Sequence, residues 1–259
     1  MAKKKEMAKV LSQQCLQTGI YDMWIGTSLA DEAKAGKFIC VYPKNASTLL
    51  PRPISICEVR EDRQALRIVY RVAGQGTAEF STYQEGESIA VMGTLGNGFP
   101  VEKVTGEKTT VFLMGGGIGI PPILQLAKSL NCDKKIIVGY RDASLFLKED
   151  LEKYGEVIIA TEDGSVGTKG NVMDAIREKG LKADMIYACG PMPMLRAIKQ
   201  YAEKEDIPAY ISLEERMACG VGACLGCVCK TKDVDAHSHV HNARICTDGP
   251  VFEAKEVEI

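Results

Sequence analysis

Short apolar, β-branched runs separated by turn residues fill most of the first hundred positions. KFICVYP, RPISICEV, LRIVYRV and SIAVMGTLG are each bounded by Gly, Pro, Asn or charged residues, the pattern of short strands. No long helical period occurs there, and strands punctuated this way predict a small antiparallel barrel. After Lys108 the pattern changes. VFLMGGG reads as a buried strand running into glycines. PPILQLAKSL reads as a helix opened by prolines, where a missing N–H costs nothing. KKIIVGY, EVIIAT and DMIYACG are further apolar strands, with helical stretches LFLKEDLEKY, NVMDAIREKG and PMLRAIKQYAEKE between and after them. AYISLEE reads as one more strand. Strand and helix in alternation predict a parallel sheet with helices on its faces. The predicted fold class is multidomain, β plus α/β. An antiparallel β-barrel spans 1–106, a parallel-sheet nucleotide-binding domain 107–210, and a small cysteine-rich module 211–259.

The chain has 259 residues, 46% hydrophobic and 25% charged, with a net charge of −2. That balance suits a globular protein of two domains and a small module. Near-neutral charge argues against nucleic acid or an anionic membrane as the main partner. The start, MAKKKEMAKV, is basic but has no apolar stretch of the signal-peptide kind. No apolar run reaches the ~20 residues that span a bilayer. Ten cysteines without an export signal place the chain in a reducing cytoplasm. Cys40, Cys57, Cys132 and Cys189 lie in apolar text, where cysteine acts as a small hydrophobe.

Four other cysteines carry a sharper signal. Cys219, Cys224 and Cys227 stand in CGVGACLGC, and Cys246 follows after eighteen residues. C-x4-C-x2-C with a later fourth cysteine is the plant-type spacing of a 2Fe-2S cluster. Structural zinc sites instead pair two C-x2-C motifs or add histidines at short spacing. Gly220, Gly222 and Gly226 leave the loop free to turn its sulfurs inward. Cys229 reads as a spare core thiol. His237, His239 and His241 alternate along KDVDAHSHVHNA; alternate histidines on a strand can bind metal, but decoration of an exposed hairpin is the simpler reading.

GGGIGIPP, Gly115 to Pro122, follows the first α/β strand, where backbone amides at a helix start could face a pyrophosphate. It lacks the third glycine of the dinucleotide fingerprint, since Ile120 stands there. CGPMPM, from Cys189, ends the last buried strand and belongs to the same sheet edge. In the barrel, RPISI and YRVAGQGT offer arginines, a serine, an aromatic ring and a glycine turn for a phosphorylated ring system.

In this order the motifs resemble the ferredoxin reductase superfamily. With the cysteine module, the whole chain resembles the electron-transfer subunits of class 1B dihydroorotate dehydrogenase. The resemblance implies FAD, a 2Fe-2S cluster and NAD as cofactors. It places Arg52, Pro53, Ile54 and Ser55 at the flavin, Val69, Tyr70 and Arg71 beside it, and Gly76 and Thr77 at its pyrophosphate. Gly115, Gly117, Glu162 and Cys189 would serve the nucleotide edge, and Cys219, Cys224, Cys227 and Cys246 the cluster. It implies an FMN-containing catalytic partner, two of each subunit, in pyrimidine (UMP) biosynthesis, with no catalytic side chain on this chain. Ala160-Thr161-Glu162-Asp163 stands where NADP enzymes carry a Ser-Arg pair, so NAD is expected, tempered by Arg141. The competing expectation is the input subunit of an NAD(P)H-ferredoxin reductase or hydrogenase diaphorase; a flavin-binding iron–sulfur sensor without turnover is a third.

Overall fold

The computed structural model describes residues 4–234 and 239–259. β1 (Lys4–Gln17), β2 (Ile20–Gly26), β3 (Phe38–Tyr42), β4 (Arg52–Val59), β5 (Ala65–Arg71) and β6 (Ser88–Leu95) close into an antiparallel barrel, in the order β1-β2-β5-β4-β3-β6. Ile39, Val41, Ile54, Ile56, Leu66, Ile68 and Tyr70 fill its interior. Phe80, at the end of α1 (Gln75–Phe80), joins that core. The hydrophobic pattern does not reveal β1, because only Ala8 and Val10 of its 14 residues are buried.

β7 (Thr110–Gly116), β8 (Asp133–Tyr140), β9 (Glu156–Thr161), β10 (Thr168–Lys169), β11 (Met185–Cys189), β12 (Ala209–Ser212) and, later in the chain, Val251–Glu253 form a second sheet. It runs β10-β9-β8-β7-β11-β12, parallel throughout, and the Val251–Glu253 strand adds antiparallel to β12. Alternate residues face opposite layers. Val111 and Leu113 of β7 pack under α2 (Pro121–Ser129), while Phe112 and Met114 pack under α4 (Val172–Lys179) and α5 (Met192–Glu205). The helix expected over LFLKEDLEKY is only α3 (Lys148–Glu152), since Leu147 before it is left-handed at φ +64°. Among the described residues no helix is long and apolar enough to cross a membrane.

The barrel docks on α2. Gln125 accepts a hydrogen bond from Val59 N (2.7 Å), and Lys128 donates to Glu58 (3.0 Å). Arg67, only 8% exposed, pairs with Asp22 (2.9 Å) and Glu58 (3.2 Å) in the barrel and with Asp150 of α3 (2.9 Å).

The cysteine segment holds a hairpin of β13 (Val228–Lys230) and β14 (Asn242–Arg244) before β15, the Val251–Glu253 strand. Besides the β12–β15 pairing, Asn97 at the barrel edge donates to Gly249 O and, through its side chain, to Asp248 O, each at 2.7 Å. The segment is thus bound to both larger parts, and the α/β sheet continues past residue 210 to take a strand from it.

Candidate functional site

After β7 the chain moves outward through β8, β9 and β10, then returns to β11 on the other side of β7. Adjacent strands whose connections leave in opposite directions open a crevice at their carboxyl ends. Gly115 is paired in register with Cys189 there. A Cβ on Gly119 would collide with the Cys189 carbonyl, so only glycine lets the two loops press together. Gly117 takes φ +52° with open space where a side chain would project, leaving a bare backbone cradle facing the crevice.

Two contiguous cavities occupy this edge. The first, about 220 Å³, has Pro53, Ser55 and Arg71 of the barrel on one side and Gly116–Gly119 and Cys189–Pro191 on the other. Phe38, Met217 and Pro250 complete it, so all three parts of the chain contribute walls. The second, about 870 Å³, runs along the ends of β8 and β9, past Arg141, Phe146, Glu162 and Asn171. Arg71 and Gly116–Ile118 border both.

Strand alternation sorts the barrel residues. Pro53 and Ser55 face the first cavity, whereas Ile54 is buried inside the barrel. On β5, Val69 faces the α/β core and Arg71 the cavities, but Tyr70 points inward, bonded to Gln13 (2.8 Å) and stacked on Tyr21 (5.9 Å between centroids). Arg52 reaches the start of α1 instead, where a Cβ on Gly76 would stand 2.8 Å from its Nε. Thr77 Oγ1 accepts from Ala73 N (2.8 Å) and Gly74 N (3.2 Å), so its hydroxyl shapes that turn. R-P-I-S and G-x-G-T therefore meet through Arg52 and Gly76.

At the sheet edge, Gly115 lies in β7 under Ile120 and Gly117 lines both cavities. Cys189 lines the first, its thiol pushed up to about 12 by burial and the nearby Glu214, against a hydrogen bond involving Ser212. Glu162 lines the second cavity; Asp163 bonds Ser165 N (2.9 Å) in its own turn. Of Glu162 and Asp163 only Glu162 lines the cavity, where Asp142 is a second carboxylate and Arg141 a cation.

The four cysteines come together as two pairs, Cys219 with Cys224 and Cys227 with Cys246. Cys227 and Cys246 are buried and Cys224 is exposed. Burial would raise the Cys219 thiol, but N–H groups of Val221, Cys224 and Ala223 and the Cys224 thiol bring it down to about 7. Cys246 is driven the other way, to about 12, by burial and the Cys227 sulfur. Among the described residues no three Cys, His, Asp or Glu side chains converge on a single ion. Two sulfur pairs in a loop rich in inward N–H groups suit a bridged two-iron centre, whose ligands divide between two metals, better than one tetrahedral zinc. Cys229, on β13, belongs to neither pair and packs against the same apolar core as Cys227 and Cys246, its thiol raised to about 11 by burial. His239, at φ +57°, breaks any strand alternation, and the His241 ring bonds Lys232 O (2.8 Å). His237 lies outside the described residues.

Comparison with known proteins places this geometry. Residues 214–258 match the family model of the iron-sulfur cluster binding domain of dihydroorotate dehydrogenase B. The chain is 40% identical to the dihydroorotate dehydrogenase B (NAD(+)) electron transfer subunit of Lysinibacillus sphaericus, over 96% of each. With the subunit of the same name from Bacillus velezensis it shares 41%, over 99% of this chain and 100% of that one. The chain belongs to this family of electron transfer subunits. It is an oxidoreductase subunit that works beside a partner catalytic subunit. Its fold matches the structure of an NADH-dependent reduced ferredoxin-NADP oxidoreductase, with TM-score 0.84 and 26% identity over 97% of this chain and 89% of that one. For a dihydroorotate dehydrogenase B electron transfer subunit, both cavities offer what FAD and a nicotinamide nucleotide need: a bare glycine cradle, an arginine shared by both cavities, and apolar walls. Residues that motif reading missed, Phe146, Asn171 and Met217 among them, carry no motif. The one usable signal was their place just after a strand's carboxyl end.

Proposed function

We propose that this chain passes electrons from the FMN of a partner dihydroorotate dehydrogenase subunit, through a 2Fe-2S cluster and FAD, to NAD+ in pyrimidine (UMP) biosynthesis. The observation that carries the reading is the shared first cavity: its wall includes Met217, two residues before Cys219. When bound, FAD exchanges two electrons with nicotinamide and single electrons with a 2Fe-2S cluster, and so joins carriers of different kinds.

The residues of the chain bind and orient. Pro53 and Ser55 form one wall for the flavin ring, and the Gly116–Gly119 and Cys189–Pro191 loops form the other. Arg71, between the cavities, offers a fixed positive charge to either cofactor. Arg52 and the backbone around Gly76 and Thr77 receive the FAD pyrophosphate, with charge-assisted bonds from the guanidinium. Gly117 lets the nucleotide approach the backbone, and Glu162 accepts from an adenosine ribose hydroxyl. Cys219 and Cys224 hold the outer side of the cluster, Cys227 and Cys246 the buried side. The partner docks on the outer side, where Val221, Leu225 and Val228 are exposed around the ligands. The assembly contains two of each subunit. Ten unpaired thiols fit a cytoplasmic setting.

Co-expression with an FMN-containing dihydroorotate dehydrogenase tests this reading. The complex should reduce NAD+ with dihydroorotate, while this chain alone should reduce an artificial acceptor with NADH and leave dihydroorotate untouched. The similarity to the NADH-dependent ferredoxin-NADP oxidoreductase structure supports a second reading, an input subunit for ferredoxin. Failure with dihydroorotate together with rapid NADH-dependent ferredoxin reduction would favour it.

A further inference from the structure

A fifth sulfur lies against the cysteine loop. Cys40 of β3 is 0% exposed. It belongs to the same apolar core as Cys227, Cys246, Met92 and Leu95. Gly220, directly after Cys219, sits on it: a Cβ there would be 3.0 Å from Cys40 Sγ. Gly220 has φ +69°, so the residue that turns the ligand loop is also the one that lets it touch this thiol. The Cys40 sulfur has no hydrogen-bond partner among the described residues. Strand alternation puts Phe38 on the same face of β3, and Phe38 lines the first cavity. Cys40 therefore stands on the strand that joins the flavin cavity to the cysteine loop.

We infer that Cys40 is a positioning and tuning residue for the iron–sulfur centre, a buried S–H donor that faces the cluster's sulfurs without ligating iron. The inference rests on the cluster reading above. The coordination set is complete without Cys40, and its place on a barrel strand under the loop makes it an outer partner. A thiol in apolar surroundings stays protonated, and S–H is a weak donor. Hydrogen bonds to cluster or ligand sulfurs stabilise the reduced, more negative state, and they are one of the levers that set a cluster's potential. Removing the donor should lower the midpoint potential, and replacing S–H by the stronger O–H donor should raise it.

The test uses the FAD-loaded subunit and two variants, Cys40→Ala and Cys40→Ser. Iron and sulfide are measured first, then the cluster midpoint by a redox titration followed by electron paramagnetic resonance. The expected order is Cys40→Ala lowest, the native protein between, and Cys40→Ser highest, with iron content unchanged. A purely packing role would move both variants in the same direction or neither, and that result would overturn the inference. Should Cys40→Ala fail to fold, the serine variant alone decides: an unmoved potential refutes the role. In the native protein, the reduced-minus-oxidised infrared spectrum should contain an S–H stretch that vanishes in Cys40→Ser, and its absence would equally overturn the inference. Native protein with no iron or sulfide after anaerobic reconstitution would overturn the cluster reading itself, a different failure.

Discussion

At the scale of single residues, the cysteine loop and the nucleotide edge make the sharpest claims. Cys246 is buried beside Cys227, while Cys229, on the hairpin, belongs to neither pair. Cys246→Ser should lose the visible spectrum and most of the iron, and Cys229→Ser should keep both; colorimetric iron and sulfide with absorption spectra check this. Glu162, directly after β9, lines the second cavity together with Asp142, while Asp163 is bound in its own turn. NADH should therefore bleach bound FAD at much lower concentration than NADPH. Glu162→Arg should narrow that gap by roughly tenfold or more, mainly by improving NADPH, because repulsion of the 2′-phosphate becomes attraction. Stopped-flow flavin reduction with both nucleotides measures it. Equal use of NADPH by the native protein would mean that Arg141, on the same cavity wall, sets the choice.

Single elements are held in place by short polar ties. β1 has little apolar surface, and Glu6 anchors it: Glu6 accepts from Thr27 Oγ1 (2.5 Å) and from Ser28 N (3.0 Å) and Oγ (2.6 Å), and pairs with Lys4 (2.7 Å). Burial would raise this carboxyl, but Lys4, Ser28 and Thr27 outweigh it and hold it near about 2 instead of 4.5. A carboxylate whose folded value is depressed binds protons less readily than the unfolded chain does. Its contribution is complete above about 4.5 and is lost as pH falls towards about 2. Glu6→Gln should melt at a lower temperature than the native protein at pH 6, with the difference closing through that window. Differential scanning fluorimetry across pH reads this, and a gap that persists unchanged to pH 2 would contradict it.

For the whole molecule, the decisive contacts cross between parts. Arg67 joins three carboxylates from two parts of the chain, Asp22 buried with it and Glu58 and Asp150 partly exposed. Removing one partner of a buried ion pair strands the other, at a typical cost of ~3–5 kcal/mol; here that falls on Asp22, because Glu58 keeps Lys128 and Asp150 keeps Lys153. Arg67→Ala should lose stability on that order in urea denaturation and loosen the barrel on α3, raising the KM for NADH because the nucleotide cavity has walls on both sides. On the outer face, Leu225 is 53% exposed next to two of the four cysteines. Leu225→Asp should leave NADH-dependent reduction of artificial acceptors intact while weakening co-purification of the catalytic partner by at least tenfold. Unchanged complex formation would place the docking surface elsewhere.

Sequence alone settled what is local or periodic. Glycine and proline punctuation marks β3 to β6, and apolar runs alternating with helical stretches mark the parallel sheet, because burial of one face imposes a period on the chain. The four-cysteine spacing is legible for a similar reason: a compact inorganic group can be reached by a short loop only at fixed intervals. Adjacency across the fold left no such trace. β1 escaped notice because most of its side chains face water. Which residues of R-P-I-S and Y-R face the cofactor cavity was decided by strand register, which sends Ile54 and Tyr70 inward and Ser55 and Arg71 outward. Arg52 against Gly76, Asn97 bonded to Asp248 and Gly249, Cys40 beneath Gly220, and β15 on the edge of the α/β sheet all join residues far apart in the chain. Such contacts are bought by closing long loops, whose cost grows only slowly with length, so the spacing of residues along the chain says almost nothing about them.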